Sequence, residues 1–200
     1  GTLNPVLPGC YPDPSICRKG DDYYIVCSSF AINPGVPIFH SKDLVNWRQI
    51  GHVLDRPSQL KVEDTGISAG IYAPTIRYNP HNDTFYMITT QFAGGIGNMV
   101  VKTKDPAEGW SGPIILHFAG IDPDLFFDDD GKAYIVHNDA PEKALYEGHR
   151  VIKIWEYDTE KDQIVEGSDQ VVVNGGVDLS QKPIWIEAPH LYKKDGKYYL

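Results

Sequence analysis

DPSICRKGDDYYIV, residues 13–26, reads as a β-hairpin: a short strand opened by proline, a Gly-Asp turn, and a second strand rich in Tyr, Ile and Val. The same frame returns as APTIRYNPHNDTFYMI (73–88), DPDLFFDDDGKAYIV (122–136) and APHLYKKDGKYYL (188–200). From each proline to its second-strand tyrosine the count is 10 residues for Pro14 to Tyr24, 12 for Pro74 to Tyr86, 11 for Pro123 to Tyr134 and 10 for Pro189 to Tyr199. The turns differ (Gly20-Asp21, Asn82-Asp83, Asp130-Gly131, Asp195-Gly196) while the frame holds, which is the mark of an internal repeat.

A weaker repeat follows each of the first three hairpins: IFHSKDLVNW around Asp43, VVKTKDPAEGW around Asp105 and IKIWEYDTEKDQI around Asp158. A third strand ending in a polar turn, then a fourth strand, completes a unit of four antiparallel strands. Proline-to-proline spacings of 60, 49 and 66 residues suit a propeller blade with loops, with a twisted β-sandwich as the alternative. Three whole units and the opening hairpin of a fourth fall short of the four blades that the smallest closed ring needs. Residues 1–200 are therefore expected to be the N-terminal part of one domain.

Composition agrees with an all-β fold. Nineteen Gly, 15 Pro and 12% aromatic residues favour many short strands and turns, and no amphipathic helical pattern competes. A net charge of −9 argues against nucleic acid as a partner. No run of eighteen apolar residues suggests a membrane span, and Gly1 to Asn4 lack the features of a signal peptide, although a removed leader stays open. Cys10, Cys17 and Cys27 have no CxxC spacing and read as buried small hydrophobes, with at most one disulfide.

In a propeller the innermost strand of each blade lines the central channel, so residues opening that strand in successive blades converge at one end of the axis. Those positions carry Asp13, Ala73, Asp122 and, just ahead of Ala188-Pro189, Glu187. Converging carboxylates raise one another's pKa at a cost to folding, which makes three of them a functional-site hypothesis; singly, an Asp-Pro is an ordinary turn. One acid to protonate a leaving oxygen and one carboxylate to activate water or attack the sugar are the requirements of glycoside hydrolysis, with no cofactor. Tyr11, Phe30, Tyr72 and Trp185 lie beside the acids in sequence, where flat rings can stack on sugars; blade packing is the competing role.

NPVLPGCYPDPSI (4–16), SSFAINPGVPIFHSKDLVNW (28–47), AGIYAPTIRY (69–78), GIDPDLFFDDDGKAY (120–134) and IEAPHLYKKDGKYYL (186–200) together resemble glycoside hydrolase family 43, across essentially the whole chain. The resemblance implies a five-bladed β-propeller, of which this chain supplies roughly three blades and the start of the fourth. It implies hydrolysis, with inversion, of xylose- or arabinose-containing plant polysaccharides and oligosaccharides such as xylan, arabinoxylan and arabinan. It further implies that Asp13 in YPDPSI is the general base, Asp122 in GIDPDLF the orienting and pKa-modulating aspartate, and Glu187 in IEAPH the general acid. Inversion would set the Asp13 and Glu187 carboxyls roughly 6.5 to 9.5 Å apart, leaving room for water. Tyr72 stands where the family often has tryptophan and Cys10 where it often has an aromatic residue, so the sugar subsite walls differ here.

The remaining motifs carry less. The histidines show no zinc spacing, and His190, three residues after Glu187, reads as a strand residue touching the channel. Asp128 to Asp130 with Gly131 reads as a solvated hairpin turn, without the spacing of a calcium loop. GGIGN (94–98) has no GxGxxG register and reads as a loop bordering the pocket. The expected partner is a pentose-containing glycan, with no metal, nucleic acid or membrane; the oligomeric state stays open. The compartment is left open too, the periplasm or the outside of the cell being favoured over the cytoplasm. Two other functions compete: a non-catalytic carbohydrate-binding propeller, and a retaining fructosidase, whose NDPNG-type and ECP-type motifs are replaced here by YPDPS and IEAPH.

Overall fold

In the computed structural model the described residues are 3–60 and 69–200, and they form two compact units, residues 1–115 and 116–200. Among the described residues every regular element is a β-strand apart from two single-turn 3-10 helices, Ala93–Gly95 and Leu179–Gln181. Among the described residues no helix is long and apolar enough to cross a membrane.

The first unit holds two four-stranded antiparallel meanders. One runs β1 (Ser15–Lys19), β2 (Asp22–Val26), β3 (Gly35–Ser41), β4 (Arg48–Leu54). The other runs β5 (Thr75–Asn79), β6 (Thr84–Gln91), β7 (Gly97–Thr103), β8 (Ile114–Ile115). The two sheets share one core, in which Val26, Ile38, Val53 and Leu54 meet Ile76, Phe85, Met87, Met99, Val101 and Trp110. A hydrogen bond from the Ile76 amide to Ser15 Oγ (3.0 Å) pins β5 to β1. All eight residues of β6 are buried.

The second unit repeats the plan with β9 (Ile121–Phe127), β10 (Ala133–Asp139), β11 (Val151–Asp158), β12 (Gln163–Ile164) and β13 (Gln170–Asn174). Here β12 and β13 both pair with β11, so the expected single fourth strand is split into two, and the sheet has five strands. The hairpin β14 (Tyr192–Lys194), β15 (Lys197–Tyr199) packs beside it through a smaller core of Phe126, Val136, Ile152 and Leu191. Asp195 and Gly196 both take positive φ (51° and 73°), the pattern of a type I′ turn, which a two-residue hairpin loop prefers.

All four expected hairpins form, the second closing over the four residues 80–83 rather than over Asn82-Asp83 alone. The aspartates of the weaker repeat fold the turn after the third strand by accepting backbone amides: Asp43 from Val45 (2.9 Å) and Asn46 (2.7 Å), Asp105 from Ala107 (2.9 Å), Asp158 from Glu160 (2.9 Å) and Lys161 (3.0 Å). Three expectations are corrected. Asp128 is not solvated: it is 6% exposed and is bound by Lys193 Nζ (2.6 Å) and Tyr198 Oη (2.5 Å), which ties the β9–β10 turn to the last hairpin and holds its carboxyl down to about 2. Of GGIGN, Gly97 and Asn98 belong to β7 rather than to a loop. Cys10 is exposed, because it lies outside any strand; Cys17 and Cys27 do sit inward, burial pushing their thiols up to about 12 and about 11, and all three are free.

Candidate active site

The bend at the start of β9 sets Asp122. Val136 pairs with Asp124 and Asn138 with Ile121, so Asp122 and Pro123 together oppose the single residue His137, the two-against-one count of a β-bulge. Pro123 has no N–H to give to the ladder, and a bulge tolerates that loss. Asp122 is half-buried with φ 55°, a left-handed conformation that is costly for a non-glycine residue and disfavoured before proline. Gly120 makes the bulge possible: a Cβ there would lie 1.9 Å from the Asn138 carbonyl oxygen.

The same conformation recurs at two of the other three strand openings, Ala73 being the exception. Asp13, ahead of Pro14, has φ 51°, and Ala188, ahead of Pro189 and next to Glu187, has φ 50°. Asp13 is exposed; its Oδ2 accepts a hydrogen bond from Ser28 Oγ (2.6 Å), and its charge adds to the burial that raises the Cys27 thiol. Glu187 is exposed on the irregular segment 182–191.

Around Asp13's unit the structure assembles an aromatic cluster. Phe30 (φ 49°) exchanges backbone hydrogen bonds with Ile71 (3.1 Å each way), and Ile71 bridges in turn to Gln91. Those bridges bring the Phe30 and Tyr72 rings to 6.3 Å and the Tyr72 and Phe92 rings to 5.2 Å. Phe92 is 57% exposed and was not among the sequence candidates; its place directly after the buried strand β6 was the available signal. Tyr11, by contrast, packs edge-on against Phe39 at 5.0 Å, a packing role.

In the second unit Trp185 (φ 53°) is 54% exposed, its amide donating to the Gly148 carbonyl (2.9 Å) and its ring lying 5.1 Å from the Arg150 guanidinium. His190 precedes β14 rather than lying within a strand, because its Nδ1 is drawn to Asp124 Oδ2 (3.5 Å). Asp124 is fully buried and also accepts from the Leu191 amide (3.1 Å), so it holds the chain just downstream of Glu187. Neither Asp124 nor Arg150 carried a distinguishing signal in the sequence. Among the described residues no group of three or more His, Cys, Asp or Glu side chains is arranged to hold a metal ion.

Comparison with known proteins decides the family. The model of the glycosyl hydrolases family 43 matches residues 2–200. This chain belongs to glycosyl hydrolase family 43. It is 54% identical, over 98% of its length, to a xylosidase/arabinosidase of Butyrivibrio fibrisolvens, of which it covers 37%. Among solved structures it resembles a GH43_12 protein retrieved from capybara gut metagenome (TM-score 0.94, 72% identity, 97% of this chain and 37% of that one). It also resembles a xylan beta-1,4-xylosidase from Bacillus halodurans (TM-score 0.83, 39% identity, 99% of this chain and 38% of that one). The family 43 chain thus spans little more than a third of the length of these relatives. The shared fold supports reading its repeated sheets as blades of a β-propeller.

Proposed function

We propose that this chain carries the acid–base residues of an inverting glycoside hydrolase that removes terminal xylose or arabinose from plant hemicellulose. Asp13 is the general base that deprotonates the attacking water, Glu187 the general acid that protonates the departing oxygen, and Asp122 orients Glu187 and keeps its proton available. Phe30, Tyr72, Trp185 and His190 bind the sugar. The bond to the anomeric carbon forms from water as the glycosidic bond breaks, one proton passing to Asp13 and one leaving Glu187. Residues 1–200 make up the N-terminal part of a single five-bladed catalytic domain, in keeping with the fraction of each relative that the chain covers.

The observation that carries this reading is the left-handed backbone at Asp13, Asp122 and Ala188. Each such residue costs of order 1 kcal/mol or more, and strain of this kind is kept where it aims a working side chain. Three repeat-equivalent positions bear it, and two of them are acids and the third adjoins one. Family membership and the names of the relatives support the pentose substrate.

Hydrolysis of nitrophenyl β-xyloside and nitrophenyl α-L-arabinofuranoside by the intact protein tests the proposal, with proton NMR of the first-formed anomer reporting inversion. Asp13→Asn is expected to lower kcat/KM by roughly 10²- to 10⁴-fold. Turnover of neither glycoside, nor of natural pentose oligosaccharides, would refute the assignment, and a retained anomeric configuration would refute the role given to Asp13.

A further inference from the structure

Glu187 sits on a segment outside any strand, yet an acid that must reach a glycosidic oxygen tolerates little displacement: about 1 Å of misplacement costs on the order of 10²-fold in rate. The residues just before it are held by a polar network. Asn138, fully buried on β10, donates from Nδ2 to the Ile186 carbonyl oxygen (2.5 Å). Its Oδ1 accepts from both Nε (3.1 Å) and Nη2 (2.6 Å) of Arg150, immediately ahead of β11. The amide cannot be reversed: Arg150 can only donate and the Ile186 carbonyl can only accept. Arg150 also holds the Trp185 ring, whose amide is bound to Gly148. One guanidinium, with one amide as intermediary, therefore grips both residues that precede Glu187.

We infer that Arg150 and Asn138 are positioning residues for the acid: Arg150 fixes the Asn138 amide, Asn138 fixes the Ile186 carbonyl, and the Glu187 carboxyl is aimed as a result. The inference rests on Glu187 being the general acid. A lysine at 150 keeps the charge but has no planar fork to bind Asn138 Oδ1 twice while lying over Trp185. An aspartate at 138 keeps the acceptors that Arg150 uses and sets an oxygen against the Ile186 carbonyl in place of a donor.

The test separates aiming from folding by the leaving group. A dinitrophenolate leaves without help from an acid, whereas a phenolate or a sugar needs the proton. In the intact protein, Arg150→Lys and Asn138→Asp are each expected to lower kcat on phenyl β-xyloside and on phenyl α-L-arabinofuranoside by on the order of 10²-fold. On the 2,4-dinitrophenyl counterparts the loss in kcat should stay within about threefold, because the base side is untouched, while a loosened Trp185 raises KM alike for both leaving groups. Glu187→Gln should show the same selectivity in larger measure. An equal loss in kcat on both leaving groups in the Arg150 and Asn138 variants, or no loss, beside a selective Glu187→Gln, would overturn the positioning role alone. Should Glu187→Gln itself lack selectivity, the assignment of the acid falls and the positioning role falls with it. Arg150→Lys, whose site is only half-buried, serves if Asn138→Asp does not fold.

Discussion

Two hairpins written in the same repeat meet opposite fates. In β5–β6 the repeat tyrosine, Tyr86, is completely buried and its hydroxyl accepts from Asn82 Nδ2 (2.8 Å); in β14–β15 its counterpart, Tyr199, is 52% exposed. The second hairpin's neighbour Tyr198 leans edge-on against Phe126 and reaches Asp128, while an apolar cavity of about 430 Å³ lies among Phe126, Tyr134, Ile154, Leu191 and Tyr198. The difference teaches that the repeat encodes a turn and two pairing strands, and that burial comes from what else packs on them. β6 has β7 along its other edge and the β1–β4 sheet against its core face; among the described residues β15 pairs with β14 alone.

The sharpest way to break this comparison is to truncate the matched tyrosines. Tyr86→Ala should cost about 3 to 5 kcal/mol, the range for deleting a buried aromatic side chain. Tyr199→Ala should cost about 0.5 kcal/mol. Urea unfolding measures both, and equal costs would end the contrast.

A smaller effect concerns what replaces apolar packing in the last hairpin. Lys193 and Tyr198 hold the Asp128 carboxyl at about 2, below the ordinary carboxylate value near 3.9 of an unfolded chain. A depressed folded pKa gives stabilisation that is complete above about pH 4 and lost as the pH falls through about 2. Hydrogen exchange of the β14–β15 amides should accordingly rise over that window beyond the intrinsic trend. Asp128→Asn should speed exchange at neutral pH and flatten the extra pH dependence; an unchanged profile would remove the ion pair from the account.

Between the two tyrosine truncations in cost should fall Gly196→Ala, which puts a Cβ on a residue at φ 73° with nothing within 4 Å of it. The expected loss is about 1 kcal/mol from backbone strain alone. Chemical denaturation would detect it, and a larger loss would mean that the turn, and not its neighbours, sets the stability of this hairpin.

Much of this molecule is legible in its sequence. Turn residues, alternating strands and the strand-opening prolines act within a dozen positions of one another, so the four hairpins and the candidates Asp13, Asp122 and Glu187 stand out in the string. The split of the last strand into β12 and β13, the inward turn of Asp128, and the parts played by Phe92, Asp124, Asn138 and Arg150 do not. Asn138 meets Ile186 across 48 residues and Asp124 meets Leu191 across 67.

Local chemistry, then, dictated where the chain turns and which acids open its strands, because a turn's preferred φ and a proline's missing N–H belong to the residues themselves. Folding in three dimensions chose the partners: which tyrosines lose their water, which carboxylate finds a lysine, and which guanidinium steadies the loop ahead of Glu187. Those outcomes depend on surfaces contributed from elsewhere in the chain, and no short window of letters contains them.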